Sequence, residues 1–488
     1  MQFKLRDYLK ISVLYTFATA FPAFLQLFIL PIIEGEGRLN AFDFSQITIA
    51  ETISTLVATF ILFSMNSAIS RFYYDAIDTP GKLSRLFSSI LVGILFRGLI
   101  IVGLAVIFGN LIVSGFTQSE LHDFSSYGYG AILTGINRSM IITVAALYRN
   151  EKRVLAFIII NLAAAILRAT GQLVGLFVFE LSFTSYINGG AIGGFLVVLI
   201  VSVIIFGRSG FVYSRELMKP VFIFATPLFI FELVKWGVSY FDRILLEINP
   251  EQLGIYDNAQ RFALGLSTII QGLYGALQPD FFRFLKDGVE KSLSDLRRLS
   301  NFFILQVQFV SIGLILPVII YIYLFFETSL VQSGGLITII FTQYIVLTAC
   351  TVFSLPILYS KRTGLFLSVN LSVLFISITL NYFLIPLYGY YGAIIASYTA
   401  NIVQLILLII VQNKVLPIRW NYLKIVAVPL LIACFAIASE IIKVQFNFNY
   451  ITASSIFIFV AFGIVLLLYR KEAGQFYNKY YKEIVKNH

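Results

Sequence analysis

The chain has 488 residues, of which 59% are hydrophobic and only 12% charged, with a formal net charge of +10. This composition excludes a soluble domain carrying a single anchor and describes a polytopic membrane protein. Cys350 and Cys434 both sit in apolar runs and the only histidines are His122 and His488, which excludes a disulfide framework and argues against a His-ligated metal or a His-based acid–base pair.

In chain order, apolar runs long enough to cross a bilayer, about 20 residues each, predict fourteen helices. They fall near 11–33, 45–70, 85–116, 125–148, 154–178, 187–206, 219–247, 253–278, 299–326, 332–360, 363–386, 388–412, 421–442 and 450–469. The first run is too long for the core of a signal peptide and ends in PIIEGEG instead of a cleavage site, so it reads as a spanning helix. The longest connection, about 279–298, falls within PDFFRFLKDGVEKSLSDLRRLS and reads as an amphipathic helix on the membrane surface.

Sorting the 35 Lys and Arg onto alternate ends of these helices puts 27 on the side of the N-terminus, among them Lys4, Arg71, Lys82, Arg149, Arg297 and the tail residues Lys471, Lys479, Lys482 and Lys486. Only Arg38 and Lys443 fall on the other side. The positive-inside rule therefore predicts cytoplasmic N- and C-termini, and the basic excess belongs to a membrane surface and not to nucleic acid binding.

The chain also repeats itself at an interval of about 200 residues. TAFPAFLQLFILP near the start is similar to FATPLFIFELVKW, and INGGAIGGFLVVLI is similar to YGYYGAIIASYTANIV. A six-helix unit has an even number of crossings, so both copies sit the same way up. The predicted fold is all-α: two parallel six-helix lobes around a central cavity, 1–208 and 209–413, with two further helices and a cytoplasmic tail in 414–488.

Six cations remain inside the predicted spans: Arg97, Arg138, Arg168, Lys235, Arg243 and Arg261. At 100° per residue, Glu232, Lys235, Ser239, Asp242 and Arg243 share one face, and Asp257, Gln260, Arg261, Ser267, Thr268 and Gln271 share another. Lipid solvates neither stripe, and intramembrane charge marks a functional site by default. Bland readings stand beside this one. Glu232 with Lys235 and Asp257 with Arg261 have the spacing of intrahelical ion pairs. Asp242 and Arg243 read as a structural pair near a helix end, and Arg97, Arg138 and Arg168 could each serve packing within the first lobe. Glu51 is either a partner for one of these cations or a proton carrier.

Several motifs then resemble one family. LNYFLIPLYGYYGAIIASYTANIV carries Asn381, Pro386, Gly389, Gly392 and Ala393 in the spacing of polysaccharide exporters. SYFDRILLEINPEQLGIYDNAQRFALGL carries an Asp-Arg pair, Asp242 and Arg243, followed by Gly254 and Tyr256. NSAISRFYYD and ALYRNEKRVLAFIIINL also fit. Together they resemble the oligosaccharide (O-antigen) flippase branch of the multidrug/oligosaccharidyl-lipid/polysaccharide exporter superfamily, over essentially the whole chain. The resemblance implies a protein of the bacterial inner membrane that moves an undecaprenyl-pyrophosphate-linked oligosaccharide to the outer leaflet by alternating access. It implies a polysaccharide polymerase and a chain-length regulator as partners, no cofactor beyond a coupling H⁺ or Na⁺, and no catalysis; a monomer is expected. The related lipid II flippases concentrate cations in helices 1, 2 and 8. Here only Arg261 fits that pattern, which points away from lipid II.

A diphosphate needs cations, and arginine suits it because its planar fork bonds phosphate oxygens in pairs. Arg261, Lys235, Arg97, Arg138 and Arg168 are therefore the candidate substrate contacts, and Glu51, Glu232 and Asp257 the candidates for ion coupling or charge pairing. Two other readings compete. A multidrug extruder of organic cations requires an acidic or aromatic cavity, and a membrane enzyme of polysaccharide assembly requires a sizeable outer loop, which this chain lacks.

Overall fold

The computed structural model of the protein describes residues 5–79 and 81–470. Lys4, Lys471, Lys479, Lys482, Lys486 and His488, used above in the charge sorting and the histidine count, lie outside these residues. Among the described residues the chain is all-helical, with one isolated bridge between Glu34 and Leu39. Twelve helical segments among the described residues are long and apolar enough to cross a membrane. They divide into two compact units, 1–257 with 327–329, and 258–326 with 330–470.

The first unit contains α1 (Leu5–Ile33), α2 (Ala41–Leu62), α3 (Met65–Ile77), α4 (Lys82–Val113), α5 (Phe124–Asn150), α6 (Val154–Val174), α7 (Phe183–Ser209) and α8 (Arg215–Leu246). α6 ends in a π-helical turn, Gly175–Phe179. Its core is α5, which packs on α2, α4, α6 and α7. α4 leaves Phe96, Leu99, Val106, Ile107 and Leu111 exposed along its outward face, a surface that only lipid would cover at no cost. Glycine sets the approach of α6 to α7. A Cβ on Gly189 would stand 2.2 Å from the Gly171 carbonyl oxygen, and one on Gly193 2.1 Å from that of Leu167. The two backbones therefore touch, which fixes the register of the α6 face that carries Arg168.

The sequence predicts one continuous helix over 45–70, whereas the structure breaks it between α2 and α3. Phe63 and Ser64 are both left-handed, at φ 48° and 56°. Such residues cost about 1–2 kcal/mol each when a side chain is present. The break is braced from outside. Arg97 donates from Nε to the Ile61 carbonyl at 2.7 Å, and the Phe63 ring stacks on Phe229 at 4.4 Å.

Repeat and packing divide the chain at different places. The sequence reading starts the second copy of the repeat after residue 208, and α8, which follows that point, packs on α2, α3 and α4 of the first unit. The side chains that hold it there are Phe229 against Phe63, Phe224 against Phe72, and the Trp236 indole, which donates to Thr55 at 3.1 Å.

The second unit contains most of α9 (Pro250–Lys286), α10 (Leu293–Phe325), a 3-10 segment Ser329–Leu336, and α11 (Ile337–Tyr359). It continues with α12 (Thr363–Tyr388), α13 (Tyr390–Val415), α14 (Val428–Gln445) and α15 (Tyr450–Leu468). α11 is buried along most of its length, and α10, α13 and α14 surround it. The amphipathic surface helix expected over 279–298 does not form as a separate element. α9 runs without interruption through Pro279 to Lys286, and α10 begins at Leu293. The polar residues of this stretch form the end of α9 and the start of α10. Lys443 lies in the last turn of α14, where its Nζ meets Glu440 at 2.5 Å and the Gly335 carbonyl at 2.8 Å. Tyr391 donates to the same carboxylate at 2.8 Å, which ties α14 to α13.

Candidate functional site

The first unit holds a small cavity among its helices. It is lined by Glu51 and Ser54 of α2, Thr134 of α5, Arg168 and Gln172 of α6, and Ile187 of α7. The spacing explains the lining. Glu51 and Ser54 are three residues apart and Arg168 and Gln172 four, so each pair shares one helix face. Arg168 meets Glu51 through Nη2, at 3.0 Å from Oε1. Both side chains keep about a third to a quarter of their surface exposed, at 33% and 26%. Arg168 Nε is buried and has no hydrogen-bond partner.

A neutral network continues from the lining residue Gln172. Gln26 of α1 donates to Gln172 Oε1 at 3.0 Å, and the buried Tyr186 hydroxyl donates to Gln26 Oε1 at 3.2 Å. Arg138 lies on α5 four residues beyond Thr134, on the same helix face. It is exposed, with no ion-pair or hydrogen-bond partner among the described residues. The first unit thus carries an arginine paired through one nitrogen and a second arginine one turn along the face of a cavity-lining residue.

The other sequence candidates lie elsewhere. Arg97 is half-buried, holds the end of α2, and lies 5.9 Å from the ring centres of both Phe63 and Phe222. Lys235 and Glu232 are exposed on α8, at 65% and 50%, with 3.8 Å between Nζ and Oε2. Arg261 is half-buried on the part of α9 that belongs to the second unit.

The α8 stripe splits in two at Ser239. Lys235 and Glu232 remain exposed, while Asp242 and Arg243 enter a buried cluster. Arg243 donates from Nε to Asp257 at 2.7 Å and from Nη1 to Asp242 at 3.3 Å and to the Ser239 carbonyl at 2.5 Å. Tyr256 donates to Asp242 Oδ2 at 2.6 Å and Thr48 to Asp257 Oδ2 at 2.9 Å. Arg243, Asp242 and Asp257 are each 5–6% exposed. The cluster ties the end of α8 to the first turns of α9 and to α2. Of the three coupling candidates, Glu51 lines the cavity, Asp257 is enclosed by this cluster, and Glu232 faces outward beside Lys235.

Sequence reading missed Gln26, Ser54, Thr134, Gln172 and Tyr186. Gln172 carried a signal, since it stands four residues from Arg168 on an otherwise apolar helix. It also missed two buried acids that bond backbone. Glu247 accepts from the amides of Thr117 and Gln118 at 3.0 and 2.9 Å, and Glu34 from those of Glu327 and Thr328 at 3.0 and 2.6 Å.

The lipid II flippase MurJ, in an inward closed conformation, has this architecture at a TM-score of 0.64 with 16% identity, over 94% of this chain and 99% of that one. The MATE multidrug transporter DinF-BH is similar at 0.56 with 15% identity, over 83% of this chain and 94% of that one. A superfamily transporter from Pyrococcus furiosus with a binding pocket of reversed polarity scores 0.56 with 14% identity, over 83% and 96%. The chain therefore has the multidrug/oligosaccharidyl-lipid/polysaccharide exporter fold. No protein-family model and no curated protein sequence matches it.

Proposed function

We propose that this protein is a flippase for a polyprenyl-diphosphate-linked oligosaccharide, moving it between leaflets by alternating access without catalysing a reaction. The observation that carries this reading is Arg168, a guanidinium on a small cavity of a membrane-embedded unit, 33% exposed and bonded to one carboxylate through one nitrogen. A diphosphate takes the donors that remain, and a bidentate contact is the strong form of such a bond. Arg138 adds a second cation along the same face. Ser54, Thr134 and Gln172 supply the hydrogen-bonding groups that a sugar requires. Lys235 and Arg261 are the further cations on the path, and a coupling H⁺ or Na⁺ would engage Glu51. The polymerase, the chain-length regulator and the bacterial inner membrane belong to the same reading.

The extruder of organic cations is the second reading, favoured by Glu51 in the cavity and by the fold shared with MATE transporters. Against it stands the charge: Glu51 is matched by Arg168, and Arg138 makes the neighbourhood positive. Deleting the gene in its host should remove surface polysaccharide and accumulate lipid-linked oligosaccharide inside. Plasmid-borne wild type should restore export, Arg168→Ala should not at equal protein level, and Arg168→Lys should restore part. Full export by Arg168→Ala would sink the assignment of Arg168.

A further inference from the structure

The chain has two tryptophans, and the fold treats them differently. Trp420 is 5% exposed, stacks on Phe281 and donates its indole N–H to Gln412. Trp236 of α8 is only half-buried, and its ring pairs with Tyr240 one turn further along the helix. The ring centres are 6.1 Å apart and the planes are inclined by 22°. Carbon atoms in contact stand about 3.5–4.0 Å apart, so the two rings are offset and present a stepped aromatic surface. Its two ends are fixed. The Arg243 guanidinium carbon lies 5.0 Å from the Tyr240 ring centre, and Thr55 of α2 accepts the Trp236 indole N–H at 3.1 Å.

Depth and charge decide what such a surface meets. Thr55 lies fourteen residues from Ala41 at the start of α2, about 21 Å at 1.5 Å per residue. Trp236 lies ten residues before Leu246 at the end of α8, about 15 Å by the same rise. The hydrocarbon core of a bilayer is about 30 Å thick, so both positions lie inside it. Tryptophans of an interfacial belt sit at headgroup level, whereas this one is deeper and its N–H is satisfied within the protein. At 100° per residue Trp236 borders the face shared by Glu232, Lys235 and Ser239, all three of them exposed. Lipid does not solvate such groups, so this edge of α8 faces water. Lys235 Nζ and Glu232 Oε2 are 3.8 Å apart. The exposed neighbours of the rings therefore offer donors and acceptors while their charges cancel, which suits a neutral polyol better than a cation.

We propose that Trp236 and Tyr240 form a stacking platform for a pyranose ring of the substrate's oligosaccharide, with Glu232, Lys235 and Ser239 bonding its hydroxyls. This inference rests on the flippase reading and adds to it the residues that recognise the sugar. The C–H bonds on one face of a pyranose carry partial positive charge and are drawn to the negative face of an aromatic ring. Contact there also removes apolar surface from water. The hydroxyls project from the rim of the sugar, where the polar side chains of α8 border the rings. Thr55, which anchors the indole, stands four residues from the cavity residue Glu51 on the same face of α2, about 6 Å along the helix. That spacing suits a sugar joined directly to a diphosphate.

The test uses the full chain in lipid nanodiscs and two probes. One is the lipid-linked oligosaccharide extracted from the host after deletion of the gene; the other is farnesyl diphosphate, which has a diphosphate and a tail but no sugar. The oligosaccharide lipid should shift the tryptophan emission of wild type, and Trp236→Phe should abolish the shift, since Trp420 is enclosed. In calorimetric titration Trp236→Ala should bind the oligosaccharide lipid about tenfold more weakly than wild type, equivalent to about 1.4 kcal/mol, and farnesyl diphosphate as wild type does. Trp236→Phe keeps a ring and should bind close to wild type. Tyr240→Leu should weaken the oligosaccharide lipid alone, and it serves if Trp236→Ala does not fold. Three results overturn the inference while leaving the flippase reading in place: binding of the extracted lipid without an emission shift from Trp236, oligosaccharide binding unchanged by both truncations, or equal losses for both probes, as a tryptophan that only joins α8 to α2 would give. If wild type does not bind the extracted lipid, the flippase reading itself fails, and this inference with it; an emission shift with rhodamine 6G in its place would mark the rings as a cation site.

Discussion

Replacing Arg243 by leucine should unfold the first unit at lower temperature than any other single loss of charge within it. The side chain makes three polar contacts, to Asp257, Asp242 and the Ser239 carbonyl, and lies 5.0 Å from the Tyr240 ring centre. Asp242 and Asp257 are each 6% exposed. Removing Arg243 therefore leaves two buried carboxylates without this cation, and breaking a buried pair in this way costs about 3–5 kcal/mol. For a unit the size of the first, 1–257 with 327–329, that corresponds to a fall in Tm on the order of 5–10 °C. Asp242→Asn is a milder change. It keeps the 2.7 Å contact between Arg243 and Asp257 and leaves an amide oxygen for the Tyr256 hydroxyl. Its cost should be that of one charge-assisted bond, about 1.5–3 kcal/mol. Arg243→Lys should fall between the two, because one ammonium does not reproduce the fork. The assay is fluorescence-detected gel filtration after heating, in one detergent for all variants. An unchanged Tm for Arg243→Leu, or equal losses for Arg243→Leu and Asp242→Asn, would refute the reasoning.

The remaining predictions concern the break in the second span, the α6–α7 contact and the topology. Arg97→Leu removes the cation that bonds Ile61 and should cost about 1.5–3 kcal/mol in the same heating assay; Ser64→Gly relieves a left-handed residue and should be neutral or stabilising by about 1 kcal/mol. Gly189→Ala forces a methyl to within 2.2 Å of the Gly171 carbonyl oxygen. It should reduce yield sharply, and normal yield would mean that α6 and α7 separate at little cost. Accessibility tags at residues 40 and 120 should report the outside and a tag at 290 the cytoplasm. The opposite pattern at 290 would reverse the charge sorting.

The sequence made the helices legible because lipid demands long apolar runs and the chain supplies them in regular order. Charge was legible for the same reason: six cations inside spans stand out against so apolar a background. What did not follow was which charges meet. Spacing along α9 points Asp257 only to Arg261, whereas its 2.7 Å contact with Arg243 runs across the α8–α9 turn. That contact depends on how α8 enters the turn, which spacing along one helix does not describe. The break at Phe63 and Ser64 was equally hidden. No glycine or proline marks it, and it persists because Arg97 and Phe229 brace it from other helices. Within the cavity, Glu51 and Arg168 were visible as charges, whereas Gln26, Gln172 and Tyr186 are neutral and gain meaning only from the packing of α1, α6 and α7.

The flippase reading meets its most direct test in proteoliposomes that contain only this protein and a fluorescent polyprenyl-diphosphate oligosaccharide. Loss of fluorescence to a membrane-impermeant quencher reports the fraction of substrate in the outer leaflet. Wild type should move the labelled lipid across the bilayer well above protein-free vesicles, Arg168→Ala should fall to the protein-free level, and an organic cation such as rhodamine 6G should neither compete nor be carried. Transport of the cation, with no movement of the diphosphate lipid, would contradict the account.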